Sequence, residues 1–294
     1  MSLTAGTLAA SLLTACSPAR LLGSIEATAP GGEVYDVAYA AGPRHAMDIY
    51  LPAKGNGPEP VVVFFYGGSW RSGDRGTYRF MGRSLAACGA ITIIPDYRVW
   101  PETGFPGFLE DAAASVARAR EVAPQYGGDA SRLFLMGHSA GAHIAAMLAL
   151  DPAYLAAAGV DQKTALAGMV GLSGPYDFLP LQDPVLEEIF APVGPRTQPI
   201  TYAANASAPM LLLTGASDTT VYPGNSERLA AKVRETGGRA DVIVYPGIGH
   251  IGLLAAFAAP LRFLAPARAD VCGFLGLGSR VSATAAHGAE AAAR

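Results

Sequence analysis

The feature that most constrains this chain is a repeating alternation. A short, wholly apolar run is followed by a stretch with helical spacing, then by another apolar run. Val61–Tyr66 reads VVVFFY, with no polar interruption. Ala90–Pro95 (AITIIP), Arg132–Met136 (RLFLM), Gly168–Leu172 (GMVGL), Met210–Thr214 (MLLLT) and Asp241–Tyr245 (DVIVY) have the same character. A strand without polar alternation is one buried on both faces, as in parallel sheets covered by helices. Helical patterns sit between the runs, at Tyr78–Cys88, Phe105–Ala123, Ser139–Leu150, Asn225–Thr236 and Ile251–Phe263. Val34–Ala40 and Ala46–Leu51 are separated only by a turn through Ala41-Gly42-Pro43, so they open the sheet as an antiparallel pair. The expectation is an α/β fold of about eight mostly parallel strands with helices on both faces.

No internal repeat or linker interrupts residues 34–278, which reads as one domain. Thirty-five glycines and 22 prolines suit many tight strand-to-helix turns better than they suit a helical bundle. Ser173–Ala208 shows no obvious strand and is predicted to form a small helical cover. It would lie over the C-terminal edge of the sheet, where open parallel sheets bind ligands. At the start of the chain, Leu8–Ala15 has the length of a signal-peptide core. Leu13-Thr14-Ala15-Cys16 is similar to a bacterial lipobox. Residues 1–16 then read as a lipoprotein signal, with Cys16 as the lipidated residue and membrane attachment at the bacterial cell envelope. No Lys or Arg precedes the apolar core, and the alternative is a cytoplasmic chain with an incidental cysteine. Residues 17–33 read as a flexible tether, and the Ala-rich residues 279–294 as a disordered tail.

Charge and cysteine usage exclude several classes. Net charge is −3 and no basic run occurs, which argues against nucleic acid as a partner. Cys16, Cys88 and Cys272 have no CxxC spacing, so neither a zinc site nor a disulfide framework is expected. No apolar run reaches ~18 residues, so no transmembrane helix is predicted. There is no HExxH, and His138 and His143 are five residues apart, which does not place them on one helix face. There is also no GxxxxGK[ST]. No metal or other cofactor is expected.

One motif carries positive chemistry. Gly137-His138-Ser139-Ala140-Gly141 fits G-x-S-x-G, and it follows the strand RLFLM and opens the helix AGAHIAAMLAL. That strand–turn–helix context exposes a serine hydroxyl on a sharp turn beside a helix N-terminus. A serine needs a base to take its proton. Of five histidines, His45 lies in the early hairpin and His287 in the tail. His138 is expected to point away from the serine, and His143 to pack one turn into the helix. His250 remains, in a loop after the last strand. The base needs a carboxylate to orient it. Asp218 in TGASD and Asp177 in GPYD both follow strands. The chain order serine, acid, histidine admits either, and Asp218 is favoured. Oxyanion donors are expected at the amides of Ala140, Gly68 and Ser69, the last two in the turn Tyr66-Gly67-Gly68-Ser69-Trp70 after VVVFFY.

With these residues in view, the chain resembles the α/β-hydrolase superfamily, and within it the carboxylesterases related to hormone-sensitive lipase and to arylformamidases. YGGSW (66–70) resembles HGGGW or HGGxW, DYRVWPE (96–102) resembles DYRLAPE, and GHSAG (137–141) is the nucleophile motif; SGPYD and TGASDTTV add support. The resemblance implies an α/β-hydrolase fold and a serine hydrolase of small or medium acyl esters. Its triad would be Ser139, Asp218 and His250, working through an acyl-enzyme. An arylformamidase-like amidase is the alternative, and a non-catalytic binding lipoprotein the third reading. Tyr66 stands where the family has a turn-bracing histidine, Ser69 where it commonly has glycine, and Trp100 where it has a small residue. Trp70, Trp100, Tyr176 and Phe178 are candidate pocket-lining residues.

Overall fold

The computed structural model describes residues 27–55 and 57–277. The expectations for Cys16, the signal segment and the tail therefore lie outside the described residues. Part of the predicted tether is described, and it is fastened to the fold. Gly31 N–H donates to the Leu51 carbonyl (2.8 Å), and Ala29 is buried.

Eight strands form one sheet. They are β1 (Gly32–Ala38), β2 (Ala46–Leu51), β3 (Glu59–Phe65), β4 (Ile91–Pro95), β5 (Gly128–His138), β6 (Leu166–Leu172), β7 (Met210–Gly215) and β8 (Ala240–Tyr245). Their order is β1-β2-β4-β3-β5-β6-β7-β8. β1 pairs antiparallel with β2, and β2 with β4; all other pairs are parallel. Every residue of β3 and β4 is buried, as the unbroken apolar runs require. Chain order reverses between β3 and β5. β4 lies to one side of β3 and every later strand to the other. Such a switch point opens a crevice at the C-terminal ends of the strands, where ligands bind in open α/β sheets.

The helices are α1 (Arg79–Ala86), α2 (Gly107–Val122), α3 (Ala140–Leu150), α4 (Pro152–Ala157), α5 (Gln162–Ala165), α6 (Pro184–Ile189), α7 (Gly224–Glu235), α8 (His250–Ala255) and α9 (Ala267–Phe274). α3 is buried along its whole length, lying against β3, β5 and β6. It is therefore apolar all round rather than amphipathic.

Three expectations need correction. The helix predicted over Ile251–Phe263 ends at Ala255, and a 3-10 segment runs from Ala259 to Leu264. Pro260 has no N–H to continue the ladder and sits in the first turn of that segment. The cover over 173–208 contains one short helix, α6, and two 3-10 segments; most of it is irregular. Finally, Cys88 and Cys272 form a disulfide, with Cα atoms 6.1 Å apart, joining the turn after α1 to α9. The two residues are 184 positions apart, so local spacing carried no sign of the bond.

Candidate active site

Ser139 sits between the end of β5 and the start of α3, with φ 55° and ψ −123°. This left-handed conformation is strained for a residue with a Cβ. Hydrogen bonds hold it on both sides: Ser139 N–H donates to the Leu172 carbonyl (2.9 Å), and the Ser139 carbonyl accepts from Ala142 N–H (2.9 Å). The motif glycines have a steric reason. A Cβ on Gly137 would run into the Gly141 carbonyl, and one on Gly141 into the Phe65 carbonyl. Strand and helix can approach only because both positions are bare.

The candidate base and candidate carboxylate come from adjacent loops. Asp218 follows β7 and His250 opens α8 after β8. The two loops are tied together, since Ser217 N–H donates to the Ile248 carbonyl (2.9 Å) and Ala216 N–H to the Tyr245 carbonyl (2.9 Å). His250 Nδ1 lies 2.8 Å from Asp218 Oδ2. A carboxylate accepts, so Nδ1 carries the proton and Nε2 presents its lone pair. The other oxygen, Oδ1, accepts from Thr220 N–H (3.0 Å) and Val221 N–H (2.9 Å). Burial works against ionisation of Asp218. The hydrogen bonds from His250 and Val221 outweigh it and hold the carboxyl below the usual carboxylate range.

The turn after β3 faces the elbow. A Cβ on Gly67 would stand 3.1 Å from Ser139 Cβ. Gly68, Ser69 and Trp70 all have positive φ, at 134°, 52° and 57°. Gly68 has no alternative, because a Cβ there would enter the Ser72 carbonyl. Ser69 occupies a left-handed position that glycine would fill without strain. Its amide and those of Gly68 and Ala140 have no acceptor among the described residues. Tyr66 braces the turn. Its ring stacks between Tyr97 (centroids 4.5 Å apart) and Tyr78 (5.5 Å), and its hydroxyl donates to Asp96 Oδ1 (3.0 Å). A tyrosine can thus do the bracing expected of the family's histidine.

A cavity of about 530 Å³ opens over Ser139 and Ala140. Ser69, Trp70, Phe178, Leu181, Leu186 and Tyr222 line it, and the Trp70 and Phe178 rings stack with centroids 5.9 Å apart. Of the four aromatic candidates, Trp70 and Phe178 line it, whereas Trp100 and Tyr176 do not. Tyr176 is fully buried beneath Gly171 and Gly174. His143 packs as expected. It is buried among Trp70, Phe108, Phe178 and Phe190, and its Nε2 lies 2.9 Å from the Thr197 carbonyl.

Asp177 is not near His250 in any recorded contact. It accepts from Arg228 Nε (2.5 Å), and Asn225 Oδ1 accepts from the amides of Tyr176 and Asp177 (both 3.0 Å). It braces the cover against α7 and caps no helix. His138 departs from expectation more sharply. Its ring does not turn away from the site but packs on His250, with centroids 4.8 Å apart. The signals for Asn225, Arg228 and His138 are long-range contacts, which no local pattern announces.

A sheet of this order, with a strained serine elbow after β5 and an Asp–His pair after β7 and β8, defines an α/β-hydrolase fold with a serine-hydrolase type of site. Residues 47–233 match the BD-FAE family, and the chain belongs to it. It is similar to the isoprenylcysteine alpha-carbonyl methylesterase of Arabidopsis thaliana, 30% identical over 239 residues, covering 74% of this chain and 56% of the relative. It is similar also to the kynurenine formamidase of Danio rerio, 30% identical over 154 residues, covering 52% of this chain and 50% of the relative. The chain thus spans about half the length of these curated relatives. Among solved structures, esterase B from Lactobacillus rhamnosis superposes with a TM-score of 0.75 at 19% identity, covering 92% of this chain and 94% of that one. At that identity the likeness concerns the fold.

Proposed function

We propose that the chain is a serine hydrolase that cleaves carboxylic esters of small or medium acyl groups through an acyl-enzyme. The observation that carries the reading is the 2.8 Å bond between His250 Nδ1 and Asp218 Oδ2, because it leaves Nε2 as a basic lone pair beside the elbow that bears Ser139. Ser139 Oγ attacks the ester carbonyl carbon while His250 Nε2 takes its proton. The carbonyl oxygen becomes negative and receives the free amides of Ala140, Ser69 and Gly68. As the tetrahedral species collapses, the C–O bond to the leaving group breaks and His250 returns the proton to that alkoxide. Alcohol departs, leaving an ester on Ser139. Water then repeats the attack, with His250 again as base, and releases the acid and free Ser139. Asp218 keeps the imidazole in the right tautomer and stabilises its protonated form.

The cavity of about 530 Å³ and its Trp70–Phe178 wall favour compact acyl groups with apolar character. Similarity to a formamidase supports a second reading, cleavage of a formyl C–N bond by the same residues. For location, the proposal is the bacterial cell envelope with a lipid anchor on Cys16. The Cys88–Cys272 bond supports that reading, because such bonds persist in oxidising compartments.

The test is a panel of p-nitrophenyl esters of increasing acyl length beside N-formylkynurenine, with Ser139→Ala as control. The expected outcome is ester turnover that peaks at short chains, and a loss on the order of 10⁴–10⁶ in Ser139→Ala. Formamide turnover exceeding ester turnover would favour the second reading. Activity surviving in Ser139→Ala would overturn both.

A further inference from the structure

The residue before the nucleophile has a side chain that the proposed reaction does not use. His138 is 2% exposed. One edge of its ring faces the turn after β3: a Cβ on Gly67 would stand 3.0 Å from His138 Nδ1. The other edge faces the base. His138 Nε2 lies 3.3 Å from the His250 carbonyl oxygen, and the two rings are inclined at 43°. A carbonyl only accepts, so Nε2 must carry the hydrogen. Nδ1 is then a bare lone pair, buried without a partner. A second proton on Nδ1 would find no acceptor, and the ring stays neutral beside the base: burial, then the neighbouring His250, pushes its pKa down to about 3.

Such an arrangement leaves one polar atom unsatisfied and needs a compensating role. Asp218 holds only the imidazole Nδ1 of His250. It does not hold the main chain from which that imidazole hangs. His250 begins a helix of six residues, and its N-cap, Gly249, has no side chain to fasten the entry. The contact from His138 falls on that main chain. His138 is also bonded through a single peptide unit to Ser139, so it joins the two reacting residues by the shortest covalent route available.

Building on the esterase reading, we propose that His138 is a positioning residue: its Nε2–H holds the His250 carbonyl and thereby registers the general base against the nucleophile. It does not touch substrate and transfers no proton. The prediction differs from simple packing, because it depends on a donor at the place of Nε2 and not on volume alone.

The experiment compares wild type, Ser139→Ala, His138→Met and His138→Gln on p-nitrophenyl acetate, with melting temperatures recorded. Met fills similar space without a donor, whereas the Gln amide can place an N–H near the position of Nε2. In His138→Met, kcat should fall about tenfold to a hundredfold with KM little changed, the scale expected of a misplaced reacting group. The rate of Ser139 phosphonylation by a fluorophosphonate should fall in parallel. His138→Gln should recover most of both losses. Because the phosphonylation rate is read on folded protein, loss of stability in either variant does not obscure it. A Met variant as fast as wild type would overturn the proposal, and so would a Gln variant as slow as Met. If wild type reacts no faster than Ser139→Ala, the esterase reading itself has failed. If wild type reacts and Ser139→Ala does not, only the role of His138 is at stake.

Discussion

Two buried carboxylates in this protein face histidines, and the contrast between them separates the pair proposed to react from one that joins two elements of the fold. In the hairpin region, His45 Nε2 lies 3.2 Å from Asp111 Oδ1. At the C-terminal edge of the sheet, His250 Nδ1 lies 2.8 Å from Asp218 Oδ2. The residue types are the same, but their remaining bonds differ. The other ring nitrogen of His45, Nδ1, is taken up by the Ala41 carbonyl. Asp111 is further saturated by Arg98, which donates from its amide (2.9 Å), Nε (2.9 Å) and Nη2 (2.7 Å). Burial opposes ionisation of Asp111, and Arg98 more than offsets it, holding the carboxyl below the usual range. Among the described residues, no serine hydrogen-bonds to this pair. His45 lies between β2's hairpin and α2, with Nδ1 against the Ala41 carbonyl and Nε2 close to Asp111 but without a hydrogen bond to it. His250 has one nitrogen fixed by Asp218, and its ring packs on His138, the residue before Ser139. An Asp–His contact therefore becomes a candidate for proton transfer only when the carboxylate orients the imidazole by a hydrogen bond and a candidate nucleophile lies beside it.

The sharpest way to break this contrast is to neutralise each carboxylate. Asp218→Asn should lose about 10⁴ in turnover, since an amide lets the imidazole adopt the wrong tautomer. Its melting temperature should stay near that of wild type. Asp111→Asn should do the opposite. Removing the charge from hydrogen bonds to Arg98 should cost about 1.5–3 kcal/mol of stability. Turnover per folded molecule should be unchanged. Steady-state kinetics and denaturant unfolding on the two variants decide it. If Asp111→Asn were folded and inactive, the assignment of roles would be reversed.

A third histidine sharpens the point that burial alone does not make a base. His143 is buried among aromatic rings, and burial pushes its pKa down to about 4. The unfolded chain binds that proton near ~6.5. Between the two values the unfolded state holds more protons than the folded one. Stability from this residue is therefore complete above ~6.5 and declines as pH falls toward 4. One pH unit below the unfolded value, the loss should be about 1 kcal/mol. His138, pushed down to about 3, adds a second decline of the same sign. Unfolding free energies measured between pH 7.5 and 5 should show this slope. In His143→Phe the slope should be shallower by about one proton, even if the variant is less stable at neutral pH because the Thr197 carbonyl has lost its donor.

How far the sequence reveals all this depends on the range of each interaction. The strands were legible because VVVFFY, RLFLM and MLLLT are apolar on both faces, and a strand buried on both faces has no other pattern to show. The elbow was legible because Gly137 and Gly141 are bare for a steric reason that acts within five residues. Chain order admits both Asp218 and Asp177, and only the small residues of TGASD, which allow a tight turn, tip the sequence reading towards Asp218. What stayed hidden was set by tertiary approach. Cys88 meets Cys272 across 184 positions. His138 follows strand alternation in the sequence, which suggests that neighbours point oppositely, but the tight elbow departs from extended geometry at Ser139 and brings the ring round to His250. The break between α8 and the following 3-10 segment was the exception, since Pro260 was in plain view and the apolar spacing around it masked its effect.

The smallest expected effect concerns Asp177, which the chain order leaves as the rival acid. It follows β6 as Asp218 follows β7, and a glance at SGPYD and TGASD does not separate them. Their surroundings do. Asp218 is 2% exposed, and both of its oxygens accept hydrogen bonds from its own loop or from His250. Asp177 is paired with Arg228, whose side chain is 51% exposed, at the mouth of the cavity. Exposed ion pairs contribute about 0.2–1 kcal/mol, because water screens the attraction and two side chains lose freedom to make it. The amides of Tyr176 and Asp177 are held by Asn225, so the backbone entering the cover does not depend on the carboxylate. Asp177→Asn should thus lower stability by less than about 1 kcal/mol. Its kcat should stay close to wild type, and any change should appear in KM, through Arg228 at the rim. A double-mutant cycle with Arg228→Gln would measure the pair directly: a coupling near zero would show that the contact carries no energetic weight, while a large loss of kcat in Asp177→Asn would transfer the proposed role of orienting His250 away from Asp218.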